Sequence, residues 1–262
     1  MTYVELVRIR FLTMLAYRLN YFSGILTYVV YTGGYYFLWK AVYGGREVLG
    51  SMTAAQMTTY LAVSWMTRSF YFNNLDREIA DEIRSGAVAI QLIRPYSYLL
   101  GKLTGAFGEG LFRLCFWMVP GMLAAVWLFP VALPGRLSTY LMWALAGLLA
   151  FLVNALLNVL FGLATFFLHN AQGLQWARQL ATDLLSGLFL PLHLYPGWMQ
   201  AAIRWLPFQT ISYLPNMIFT GGLTGSAAWQ AVGLQVTWVV VLALLTGLLW
   251  GRARRYLVVQ GG

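Results

Sequence analysis

The segment Leu75-Asp76-Arg77-Glu78-Ile79-Ala80-Asp81-Glu82-Ile83-Arg84-Ser85-Gly86 contains Asp76, Glu78, Asp81 and Glu82, half of the 8 acidic residues in a chain that is 10% charged and 60% hydrophobic. Carboxylates at this density are expensive in hydrocarbon, so the segment is expected in water. Ile79 and Ile83 are spaced i, i+4, and Leu75 lies one turn earlier; this predicts a short amphipathic helix that Gly86 ends. An apolar stretch precedes the segment and another follows it. A charged helix set between two membrane spans is suited to gripping something outside the bilayer.

Other polar residues fall inside apolar runs. Glu109 and Arg113 are spaced i, i+4, which suits a local ion pair and equally a substrate-facing pair. Asp183 is the one acidic residue of its apolar stretch. Unpaired, it is a functional candidate; paired with Arg178 or Arg68, it is structural. Asn154 and Asn158, again i, i+4, point to an interhelical hydrogen-bond contact or to a polar patch on a translocation path. Catalytic constellations are not legible: there is no His-Glu-x-x-His, no Cys/His cluster, and Cys115 stands alone. His169 and His193 fall on opposite sides of the predicted membrane, so they share no metal. No Gly-rich stretch runs into Gly-Lys-Ser or Gly-Lys-Thr, so energy-driven work would need a nucleotide site on another chain.

A span needs ~20 apolar residues, and the sequence supplies six such stretches, near 21–42, 56–74, 104–129, 138–169, 176–191 and 228–250. The predicted fold class is therefore all-α and polytopic, a single transmembrane domain over 1–262. On this topology Arg8, Arg10, Arg18, Arg77, Arg84, Arg94, Lys102, Arg178, Arg252, Arg254 and Arg255 share the side of the termini. Lys40, Arg46, Arg136 and Arg204 lie opposite, and Arg68 and Arg113 fall within spans. The positive-inside rule then puts both termini and the charged helix in the cytoplasm. It also explains the formal charge of +9 without nucleic acid. Residues 1–20 mix Glu5, Arg8 and Arg10 with Val4, Val7 and Phe11 and lack the long apolar centre of a signal peptide; they read as an interfacial helix. Residues 75–102 form the longest inner loop. Residues 187–225 hold Pro191, Pro196, Pro207 and Pro215 among aromatic residues, too many breaks for one span, and read as an outer re-entrant pair.

This order of features resembles the permeases of type-2 ABC exporters. The stretch from Glu78 to Gly86 followed by Leu92-Ile93-Arg94-Pro95 is similar to the signature of a bacterial subgroup. So is the run Ser186-Gly187-Leu188-Phe189-Leu190-Pro191-Leu192 with Tyr195-Pro196-Gly197-Trp198. The resemblance implies a multi-pass subunit of the bacterial cytoplasmic membrane, paired with a second permease as homodimer or heterodimer. It implies no cofactor in this chain, with ATP and magnesium on partner ABC ATPase subunits. It makes Leu75, Asp76, Glu78, Ile79, Glu82, Ile83, Arg84 and Gly86 the ATPase-coupling element. Substrate identity does not carry over. An ion-coupled secondary transporter and a polytopic lipid-modifying enzyme are the alternatives; the first would show inverted repeats, the second convergent acid and base residues on one face.

Overall fold

Long apolar runs without proline become long helices in this chain, and proline-punctuated runs become short ones. The computed structural model describes residues 2–16, 22–49, 51–168 and 172–259. Arg18, Tyr21 and His169, three residues of the predicted topology, lie outside them. About 81% of the chain is helical. In order they form α1 (Thr2–Ala16), α2 (Phe22–Tyr43), the hairpin strands β1 (Val48–Leu49) and β2 (Met52–Thr53), and α3 (Ala54–Tyr71). Next come α4 (Leu75–Arg84), α5 (Ala87–Leu92), α6 (Tyr98–Arg113), α7 (Val119–Leu128) and α8 (Leu137–Leu163). The chain continues through α9 (Gln172–Leu185), α10 (Gly197–Ile203), α11 (Tyr213–Phe219) and α12 (Gly225–Val259).

Among the described residues three helical stretches are long and apolar enough to cross a membrane: Tyr98–Leu128, Leu137–Phe166 and Gly225–Arg255, of 31, 30 and 31 residues. At 1.5 Å per residue each reaches about 45 Å, more than the ~30 Å hydrocarbon core. The first of these joins α6 to α7 through a wide π turn at Leu114–Met118. Pro120 follows immediately; its missing N–H and its ring would break a tight turn, and a wider one absorbs both. α2 and α3, with 22 and 18 residues, carry more Tyr, Thr and Ser and are not among the three.

The helix expected over 176–191 is shorter than predicted. α9 has 14 residues and stops at Leu185, about 21 Å of helix. Gly187 adopts φ +80° and packs against Tyr60 and Tyr213, and Pro191 follows, so the chain turns where the sequence predicted continued helix. Beyond it, 187–225 is a series of turns and the short helices α10 and α11.

α8 is the centre of the molecule: 61% of its spanning window is buried, against 22% for α12. Phe151, Val153, Leu157 and Leu163 of α8 meet Leu75 and Ile79 of α4, Phe70 and Tyr71 of α3, and Ile211. Gln235 of α12 donates to the carbonyls of Ala146 and Thr210 at 2.9 and 2.8 Å, seating the Pro207–Thr210 turn between α8 and α12. Ala146 lies about 14 Å along α8 from its start, so this turn sits well inside the helix bundle.

Candidate functional site

The charged segment folds as expected into a helix, α4, but its surroundings differ from the prediction. Leu75, Asp76 and Ile79 are buried inside the chain, Ile79 and Asp76 with no exposed surface at all. Their neighbour is the C-terminal third of α8. Gly162 makes the approach possible, since a Cβ there would lie 3.0 Å from both the Asp76 Cα and the Ile79 Cβ. Ile83 is half-buried against the same core. Leu75, Asp76 and Ile79 are covered within the chain itself. The i, i+4 apolar stripe covers the chain's own α8, because at this end the bundle offers a larger apolar surface than water does.

Asp76, expected in water, lies in the interior with Arg178 of α9. The guanidinium donates to one carboxylate oxygen through Nε at 3.1 Å and Nη2 at 2.9 Å, and Gln175 donates to the Asp76 carbonyl at 3.2 Å. A buried carboxylate persists only with such a partner. On the other flank of α4, Lys102 of α6 lies 2.6 Å from both Glu78 and Glu82, and the Tyr98 hydroxyl donates to Glu82 at 2.7 Å. Arg10 of α1 reaches Glu109 at 3.2 Å and Glu78 at 3.9 Å. α1 lies along α6, and Gly108 leaves room for the Val7 backbone.

The corner between α3 and α4 explains the polar residues of the apolar runs. Tyr71, Phe72 and Asn73 stand where α3 ends, and their carbonyls have no helical partner. Asn154 donates to the Tyr71 carbonyl at 2.9 Å, and Asn158 donates to the Asn73 carbonyl at 3.0 Å. Arg113 donates to the Phe72 carbonyl and pairs with Glu109. Asn154 thus bonds the last residue of α3 and Asn158 the linker beyond it, and Glu109–Arg113 is an ion pair that also caps the corner. Asp183 pairs with Arg68 of α3, with Gln179 donating to both its oxygens at 3.1 and 3.0 Å. It is a paired carboxylate between α3 and α9.

What α4 leaves exposed is its far end. Asp81 and Arg84 face water 4.0 Å apart. Gly86, at φ +74°, reverses the chain into α5. There Val88 is buried and Gln91 donates to Glu82 at 3.5 Å, while Ile90 is 63% exposed and Ile93 84%. The sequence reading missed this arm; its signal was the run Ala87–Ile93, apolar yet flanked by Arg84 and Arg94. Leu75–Ile93 is thus a helical hairpin whose first arm is bolted to α1, α6, α8 and α9 and whose second arm carries the exposed apolar Ile90 and Ile93, with Asp81, Arg84 and Arg94 exposed as well. Among the described residues no cluster of His, Cys, Asp and Glu could hold a metal ion.

A predominantly helical chain with three helices of spanning length among its described residues and a charged hairpin held at one end of the bundle is a multi-pass membrane protein. The family model described as "ABC-2 family transporter protein" matches residues 29–261. The chain belongs to that family: it is the membrane permease component of an ABC transporter, a kind of subunit that associates with an ABC ATPase. Neither curated proteins nor solved structures give a match.

Proposed function

We propose that this chain is one permease of an ATP-driven exporter, working with a second permease chain and separate ATPase subunits that dock on the α4–α5 hairpin. The observation that carries the reading is the bolted hairpin with Ile90 and Ile93 exposed on its second arm. A partner's push on that arm reaches α8, α9 and α6 at once, because α4 is held to each by packing or ion pairs. Transmission of motion requires such a rigid element. The contact face in this reading is Asp81, Arg84, Gly86, Ile90 and Ile93, while Leu75, Asp76, Ile79, Glu78 and Glu82 hold the hairpin in place.

Six crossings of the bacterial cytoplasmic membrane fit this scheme: α2, α3, α6–α7, α8, α9 and α12, with both termini and the hairpin cytoplasmic. α9 is short, yet it starts beside Asp76, and the carbonyl of Gly187 beyond its end accepts from Tyr60 in the second turn of α3 at 2.6 Å. The segment therefore climbs most of the length of α3. The buried Pro207–Thr210 turn supports a re-entrant outer region. α1, lying along α6, takes the inner interfacial position.

The test is co-purification of the co-expressed ABC ATPase with the Ile90→Asp/Ile93→Asp variant. Both side chains are exposed, so the permease should insert and elute normally. Two carboxylates driven into an apolar contact cost several kcal/mol, so ATPase recovery and export should be lost. Wild-type recovery with wild-type export would refute the second arm of the hairpin as the docking face.

A further inference from the structure

At the end of α8 remote from α4, an open cavity of about 400 Å³ is lined by Gln56 and Thr59 of α3, the Ala132–Arg136 loop, Thr139 of α8, and Thr220, Gly221 and Thr224. Thr139 and Gly162 are separated by about 35 Å of helix, so this cavity and the hairpin occupy opposite ends of the molecule. None of the acidic residues lines it. Among the described residues the Arg136 guanidinium, the Thr139 and Thr224 hydroxyls and the Gln56 amide N–H groups have no protein partner; Gln56, Arg136 and Thr224 are exposed and open to solvent. By contrast, Thr59 is spent on structure: its hydroxyl donates to the Ala55 carbonyl and accepts from the Ala132 N–H at 2.9 Å, which pins the loop that carries Arg136.

We propose that this cavity is an oxyanion site for a phosphate group. The free groups are donors from three separate elements, with one fixed positive charge and no competing carboxylate. α8 and α12 begin at the cavity and add the positive ends of their dipoles, which reinforces the donor set without defining it. Phosphate presents its oxygens tetrahedrally, and guanidinium with hydroxyl donors is the pairing that recognises it. The phosphate is carried by a lipid headgroup or by a soluble phosphoester; the cavity is open and accommodates both. In the permease reading the site lies on the outer face, but binding itself requires no ATPase, so it stands or falls separately from hairpin docking.

The experiment uses the full chain purified in a neutral detergent at low ionic strength and calorimetric titration with three probes: glycerol 1-phosphate, dihexanoyl phosphatidic acid and glycerol. Binding of either phosphate probe and not of glycerol is expected. Binding of the soluble probe at least as tightly as the lipid assigns a solute, and tighter binding of the lipid assigns a headgroup. Arg136→Gln should weaken binding about tenfold or more, while Arg204→Gln, which removes the same charge from a residue outside the cavity, should leave it unchanged. Thr139→Val/Thr224→Val keeps shape and charge and should weaken binding severalfold; it carries the test if Arg136→Gln fails to fold. The proposal is overturned if neither phosphate probe binds, if glycerol binds as well as they do, if Arg204→Gln weakens binding as much as Arg136→Gln, or if a folded cavity variant binds like wild type.

Discussion

Asp76→Asn should loosen the seat of the hairpin more than any surface change on α4. Asp76 has no exposed surface, and the Arg178 side chain is 3% exposed, so the pair is dry. Removing the carboxylate charge leaves Arg178 buried with its 2.9 Å and 3.1 Å hydrogen bonds weakened and its charge uncompensated. Breaking such a pair costs about 3–5 kcal/mol. Replacing both members with neutral groups removes the stranded charge, so Asp76→Asn/Arg178→Gln should recover a large part of that loss. The assay is a double-mutant cycle read two ways in the purified chain. One readout is thermal unfolding; the other is the rate of limited proteolysis between Arg77 and Arg94. The single variants should each melt earlier and be cut faster, and the double variant should lie nearer wild type than either. Strict additivity of the two single effects, or single variants indistinguishable from wild type, would refute the claim that this pair holds α4 on α9.

Three further outcomes follow from positions on α8. Gly162→Val should destabilise the chain by about 1–3 kcal/mol through overpacking against the Asp76 backbone, whereas Gly147→Ala, where a Cβ meets nothing within 4 Å, should be neutral or gain up to ~1 kcal/mol in thermal unfolding. Asn158→Leu strips the hydrogen bonds from the Asn73 carbonyl and side chain and should cost about 1–3 kcal/mol, seen as an earlier melt and faster cleavage in the α3–α4 corner.

The sequence pattern made the class of this protein legible, but it did not show which surfaces meet. The spacing of Leu75, Ile79 and Ile83 correctly predicts an amphipathic helix, but amphipathicity says only that one face is covered. Whether α8 or another protein covers it depends on Gly162, a glycine that looks like any other until α4 lies on it. The Asn154/Asn158 spacing points to an interhelical bond, while its acceptors are main-chain carbonyls that carry no residue signature. Asp183 and Arg68 are 115 residues apart, so their pairing depends on how α9 climbs beside α3. The end of α9 was readable: Gly187 and Pro191 were present, and the apolar character of Ser186–Leu192 outweighed them in the sequence reading. Ile90 and Ile93 were hidden by the opposite bias, being too few to form an apolar stripe and too close to charge to look buried.

The most direct test of the central claim is site-specific photo-cross-linking in cells that co-express the ABC ATPase. A photoreactive residue replaces Ile93 on the second arm of the hairpin in one strain and Trp198, exposed in the 187–225 region, in another. Docking on the hairpin predicts a permease–ATPase adduct from position 93 and none from position 198. An adduct from 198, or no adduct from 93 in a strain that exports normally, would contradict it.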